Sequence, residues 1–552
     1  MIRPVRSETR ARSQRGVVAH VTLVFGAAAG ATLVALVVRH RLQTFPDSAI
    51  YLGTARNLLH GRGLTSPVAL PFSDYFSPLR EAGFHGALPI TTHAPMYPLL
   101  IAFIGLFTTV TTAARVVGVV ALAAATALVG DLALRLTRRW YVSAAVMVLF
   151  LLGGPVTGGA FVPSSWILLA GSGLAETLFL VFLLASIAPL TRGLRTGDTV
   201  PLVVAGAAIG LAIVSRFIGV SVLVAALLLV ALRPRWLARD RVRAALIVGL
   251  PALVPVVVWR VVLRLTVGLG TTIPVRFHSM QGAHPAESVR LVGGWFLPSS
   301  APHWALYGAA VLAAVVLVGA GIAGARAIAG GRVGPAWHVG PDGDDDEEVG
   351  WLLAVLVVVQ IAYLIAIAAT GLFLVANTGF DSRFLAIVRP MLYLTIVGVA
   401  FRSLSRLATG TAAATVTVAA LLVVVPSLGP TTRLVRHGVA STPSSPALAS
   451  AIRALPAHAL LVSNAPDAVY GDAGRASVLV AQRWFATSDR ANPSFSRDLG
   501  QVGELLKRPD SYLVMFDRGP DTDLATAQDI MRVVRLVPVA TFPGAAIYRA
   551  AT

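Results

Sequence analysis

Residues 45–64, FPDSAIYLGTARNLLHGRGL, follow directly on the first long apolar run of the chain and set one acid beside it. Asp47, Tyr51, Ala55 and Leu58 or Leu59 recur at helical spacing. They therefore share one face of a helix that opens at Pro46 or Asp47 and stops at Gly61 and Gly63. Arg56, His60 and Arg62 fall on the other faces. The pattern predicts an interfacial helix lying on a bilayer and holding the Asp47 carboxylate over the membrane edge. A plainer role is also open to Asp47, that of an N-cap satisfying free amides at the helix start.

Apolar residues make up 56% of the 552-residue chain and charged residues 13%, about half the charged share of a soluble domain. The fold expected is an α-helical polytopic membrane protein. Residues 1–16 are basic and no small-residue cleavage site follows them, as in a retained signal anchor with a cytoplasmic N-terminus. The absence of cysteine excludes a thiolate nucleophile, a disulfide and a Cys-ligated metal. The net charge of +19 is almost all arginine in loops between apolar runs, where it orients helices and meets lipid phosphates. Nucleic acid is not an expected partner.

From the first span, 17–38, the arginine-rich and arginine-poor loops alternate so as to predict about eleven transmembrane helices in 17–425. Further spans are expected near 115–134, 141–156, 171–190, 244–265, 304–327, 351–375 and 412–425, with one closing at Arg402 and Arg406. The run 201–232 has arginines at both flanks and is expected to be a hairpin of two short spans turning at Arg216. The first outer loop, 39–114, contains PMYPLLIAFIGLF, which is too short to cross and reads as re-entrant or interfacial. The loop 266–303, with Arg276, His278, His284, Glu287 and Trp295, is open to acceptor contacts, and the acidic run DGDDDEE reads as a cytoplasmic linker. Beyond 426 the pattern breaks into strand-like runs, ALLVSN, SVLVAQ, SYLVMFD and VPVATF, with a helical stretch at 523–536. The region 426–552 is therefore expected to be a small extracytoplasmic α/β domain.

This topology brings to one face Asp47, the turn at His93, Glu176, Arg216 and Arg383. The motifs FPDSAIYLGTARNLLHGRG, THAPMYPLL, SGLAETLFL, SRFIGV and DSRFL, in this order, resemble those of the GT-C superfamily of polytopic glycosyltransferases. The protein O-mannosyltransferases and the lipid A aminoarabinose transferase are among its members. The resemblance implies transfer of a sugar, with inversion, from a polyprenyl-phosphate carrier to a glycan, lipid or protein acceptor at the outer face of the cell membrane. It implies Asp47 as the acid of the first outer loop, with Ser48 where many relatives have a second acid. It further implies Arg216 and Arg383 at the donor phosphate. Tyr51, Arg56, His93 and Glu176 are candidate substrate contacts.

The chemistry is consistent with those residue types. A carboxylate can take the acceptor proton, and guanidinium groups suit a leaving phosphate by permanent charge and forked donors. Each residue has a plainer alternative: snorkelling for Arg216, a structural ion pair for Glu176, a turn position for His93. No His/Asp spacing specifies a metal, although Asp47 could hold a divalent cation such as Mg or Mn. A transporter or flippase and a non-catalytic envelope-assembly protein are the alternative classes. No internal repeat of the kind that builds transporters is visible.

Overall fold

The computed structural model describes residues 5–39, 45–68, 77–90, 93–153, 165–234, 236–267, 277, 285–298, 300–328, 343–374, 382–404, 409–437, 446–485, 490–517 and 523–551. Helix α1 (Val5–Val38) leads to α2 (Pro46–Leu59), and the first loop continues with β1 (Thr65–Ser66), α3 (Pro78–Gly83), β2 (Leu88–Pro89) and α4 (Met96–Gly105). The bundle then runs through α5 (Val110–Thr137), α6 (Trp140–Leu152), the short α7 (Trp166–Gly171), α8 (Glu176–Thr196), α9 (Thr199–Ser215) and α10 (Val220–Ala231). It closes with α11 (Ala238–Val267), α12 (Pro285–Gly293), α13 (His303–Ile328), α14 (Gly343–Phe373), α15 (Ser382–Ala386), α16 (Val388–Leu404) and α17 (Thr409–His437).

Among the described residues, eight helical segments are long and apolar enough to cross a membrane: those of α1, α5, α8, α11, α13, α14, α15–α16 and α17. The shorter α6, α9 and α10 run among them, so the helices correspond one for one with the expected spans. This is a multi-pass membrane protein. One end of the bundle is basic: Arg135 and Arg138, closing α5, reach Glu348 in the early turns of α14 at 3.6 and 3.1 Å. The acidic run expected as a linker is thus partly the start of a helix, anchored by those arginines.

The hairpin at Arg216 is present. Arg216 has extended backbone (φ −152°, ψ 128°), which breaks the helix. The chain then folds back so closely that a Cβ on Gly219 would meet the Ala212 and Ile213 backbone at 2.8 Å. At the far end of the hairpin, Arg233 donates to the Arg195 carbonyl at 3.0 Å, so both arms return to the basic end. Helix α9 lies on α11 through Gly206 and Gly210, whose absent side chains let the helices approach to backbone contact.

Helix α17 runs straight through Pro426 and Pro430. The expected boundary at 425/426 therefore falls inside a helix. A membrane helix tolerates the backbone hydrogen bond that each proline removes. The C-terminal region is α18 (Pro446–Ala454), β3 (Leu460–Ser463), α19 (Pro466–Ala473), β4 (Val478–Leu479), β5 (Trp484–Phe485), β6 (Arg490–Ala491), α20 (Phe495–Leu506), β7 (Ser511–Phe516), α21 (Ala527–Met531), β8 (Leu536–Phe542) and β9 (Ala545–Ala550). Its main sheet has the order β4-β3-β7-β9-β8, with β3 parallel to β4 and β7 and β9 antiparallel to β7 and β8. The helix expected over 523–536 is only Ala527–Met531: the chain turns at 532–534 and Leu536 already opens β8. The core beneath this sheet includes Ala82 and Leu88 from the first loop, together with Val462, Val502, Leu505 and Leu513.

Gly206→Val drives a side chain toward the Val248 carbonyl, which a Cβ would already meet at 2.3 Å. The unfolding midpoint of Gly206→Val is expected to fall, with a loss of about 1–3 kcal/mol. Gly249→Ala, where a Cβ meets nothing within 4 Å, is the silent control.

Candidate functional site

Helix α2 does not lie on a surface. Residues 48–55 are all buried, with Tyr51, Leu52 and Ala55 packed against Tyr97, Ile101 and Val117 on one side. Ala49 and Ile50 meet Val68, Trp259 and Tyr470 on the other. The amphipathic pattern misleads because the C-terminal region covers the Arg56 face. Arg56 lies over the Tyr470 ring at 5.3 Å and donates to its hydroxyl at 3.1 Å. It binds two parts of the chain together and stands apart from the acid–arginine cluster.

Asp47 is not the helix cap. The hydroxyl of Ser48 accepts from the Phe45 N–H at 3.1 Å and itself donates to the Ser172 carbonyl, so Ser48 fixes the start of α2 on the turn between α7 and α8. That leaves Asp47 to face Arg383, whose Nη1 donates to Oδ2 at 2.7 Å. His93 Nε2 stands 3.5 Å from Oδ1. Arg383 also reaches Glu176 through Nε at 3.1 Å, and Arg216 donates from Nη1 to the same Glu176 oxygen. Glu176 is 1% exposed, and its Oε2 has no hydrogen-bond partner among the described residues. Both guanidiniums lie over the Phe384 ring, at 5.0 and 5.1 Å.

The structure therefore gathers Asp47, His93, Glu176, Arg216 and Arg383 into one cluster, with Tyr51 edge-on to His93 at 5.6 Å. Burial opposes ionisation of Asp47, but Arg383, His93 and Arg216 outweigh it and hold its carboxyl well below the usual carboxylate range. Burial, reinforced by the Asp47 charge, raises the Tyr51 phenol above its ordinary value, so it stays protonated as a donor. Tyr97, Tyr363 and Phe384 were not singled out by spacing. Tyr97 packs edge-on to Tyr51 at 5.3 Å with a buried, unpartnered hydroxyl, and Tyr363 donates to the Phe384 carbonyl at 3.2 Å. The signal for Tyr97 was its place four residues after His93, and for Phe384 its place beside Arg383.

Among the described residues no group of three His, Cys, Asp or Glu side chains could hold a metal. One Asp47 oxygen is already taken by a guanidinium, whose charge repels a cation. In the loop that was open to acceptor contacts, Glu287 pairs with Arg290 at 3.7 Å and Trp295 is buried. Arg276, His278 and His284, like Asp74, lie outside the described residues.

No family model matches the chain, and no curated protein matches it. Among solved structures it is similar to ArnT from Cupriavidus metallidurans bound to undecaprenyl phosphate, at 15% identity and TM-score 0.47 over 98% of each chain. The apo state of that ArnT gives 16% identity and TM-score 0.47, again over 98% of each chain. The oligosaccharyltransferase of Archaeoglobus fulgidus, in complex with Zn and sulfate, gives 13% identity and TM-score 0.46, over 90% of this chain and 68% of that one.

Glu81, a second acid of the first loop, stands apart from the cluster, at the seam with the C-terminal region. It is 4% exposed and accepts from the Leu479 N–H at 3.0 Å. Burial pushes its carboxyl up to about 8, against the opposing pull of that hydrogen bond. The folded chain then keeps a proton that the unfolded chain, at its ordinary 4.5, releases. Stability from this group is complete below about 4.5 and is lost as pH rises through about 8. The unfolding midpoint is expected to fall over that window, and Glu81→Gln is expected to flatten the fall. An equal slope in both proteins would show that Glu81 does not titrate there.

Proposed function

We propose that the chain is a GT-C-type glycosyltransferase that moves a sugar from a polyprenyl-phosphate-linked donor to a glycan, lipid or protein acceptor, with inversion. The observation that carries this reading is the cluster itself. Two carboxylates and two guanidiniums from four distant segments meet at the end of the bundle opposite its basic arginines. In the proposed step the acceptor oxygen attacks the anomeric carbon while the bond from that carbon to the phosphate oxygen breaks. The electron pair leaves on the phosphate, facing Arg216 and Arg383, and the acceptor proton passes to Asp47. This orientation makes the cluster and the C-terminal domain extracytoplasmic and the N-terminus cytoplasmic, in the cell membrane.

A carboxylate held as low as Asp47 is a weak base. A phosphate that draws on Arg383 and adds negative charge nearby raises the affinity of Asp47 for a proton, so the donor itself readies the base. The lack of a metal set favours this role over ion ligation, and turnover is expected to survive a chelator. Loss of turnover with a chelator, restored by Mg or Mn, would return Asp47 to the role of ligand.

The test is transfer of labelled sugar from a polyprenyl-phosphate donor by the purified protein in vesicles. Asp47→Asn is expected to lower turnover by about a hundredfold or more, with donor binding nearly unchanged. Arg216→Ala is expected to weaken donor binding, and Arg216→Lys to restore it only in part because the fork is lost. Counterflow of solute without product would identify a transporter instead, and neither signal would favour an assembly protein. Near-normal turnover in Asp47→Asn would remove Asp47 from the chemistry.

A further inference from the structure

Arg389 is the second residue of α16, six residues beyond Arg383 and past the turn at Ile387 that separates α15 from α16. Its side chain is 1% exposed, and among the described residues none of its three guanidine nitrogens has a hydrogen-bond partner. Its neighbour one turn on, Tyr393, turns away to other partners: its hydroxyl donates to the Trp295 carbonyl at 2.9 Å and its ring packs edge-on to Phe296 at 5.7 Å. A guanidinium cannot shed its proton to escape burial, and at 1% exposure it does not snorkel to water. The arginines of the outer cluster each have a carboxylate, whereas this one has no counter-charge among the described residues.

We propose that Arg389, at the start of α16, is a second anion site, which takes the phosphate of a phosphate ester. The forked donors match phosphate in shape and charge. A cation within a membrane span is retained where an anion meets it. The site is distinct from the outer cluster, and it stands whether or not Asp47 and Arg383 carry out sugar transfer.

The experiment compares the full chain with Arg389→Met and Arg389→Lys in detergent micelles, reading unfolding midpoints and the binding of a long-chain prenyl monophosphate and, separately, of inorganic phosphate. Removing an unpaired buried charge is expected to raise the midpoint of Arg389→Met without ligand. The same variant is expected to bind the phosphate probe at least ~10-fold more weakly, with Arg389→Lys between the two. An Arg389-dependent response to the prenyl phosphate alone assigns a lipid headgroup, and a response to inorganic phosphate assigns the free anion. Affinity for both probes within about twofold of the parent overturns the proposal. Should Arg389→Met fail to fold, unchanged affinity in Arg389→Lys with a lowered midpoint overturns it equally, by showing a packing role. Loss of transfer in Asp47→Asn bears on the outer cluster only and leaves this outcome readable.

Discussion

The ion pairs that link Asp47, Arg383, Glu176 and Arg216 constrain the rest of the chain more than any other contact. Asp47 and Arg383 are 336 residues apart, yet they meet at 2.7 Å. The four charges cancel in a site that is 1% to 20% exposed, so each member depends on the others for a counter-charge. Breaking a buried pair of this kind from one side costs about 3–5 kcal/mol, because the charge left behind has no water to return to. The start of α2, the first turn of α8, the hairpin at Arg216 and the short α15 therefore have their relative positions set together. Ser48 assists by fixing α2 to Ser172, four residues before Glu176.

A cluster that is electrically balanced at rest responds to an incoming anion by redistributing its contacts. Arg383 already divides its donors between Asp47 and Glu176, and Glu176 keeps one buried oxygen uncommitted. In the proposed reaction a phosphate drawing on Arg383 would loosen its contact with Asp47. Phe384 lies under both guanidiniums and limits how far they swing. Donors held in this way would suit the charge that develops in the proposed transfer, where fixed cations are worth most.

Much of the bundle was legible in the sequence, because arginine placement and apolar length report membrane crossing directly. Arg216 stood out as a lone charge between two short arms whose flanking arginines need the same side, and the structure bends there. Asp47, His93, Glu176 and Arg383 were readable as charged or polar residues at the mouths of apolar runs. Other features depend on partners hundreds of residues away. The face of α2 bearing Arg56 looked solvated, since nothing local announces Tyr470. The prolines at 426 and 430 looked like a boundary, because propensity counts the broken hydrogen bond and not the apolar surroundings that tolerate it. Strand β9 went unread and the helix at α21 was drawn too long for a like reason: strand pairing beyond their own residues decides where they begin and end.

The first loop and the C-terminal region share a core. Glu81 and Leu479 meet across 398 residues, Val68 bridges to Ser477, and Ala82 and Leu88 lie under the same sheet as Val462 and Leu513. Synthesis at about 5–20 residues per second leaves this loop without its partner for ~20–80 s after it emerges. During that interval its apolar residues are uncovered and must be sheltered by the lipid surface or by a chaperone. Completion of that shared core therefore waits on the last strands to be made, so a chain truncated before β7 leaves the first loop without its cover.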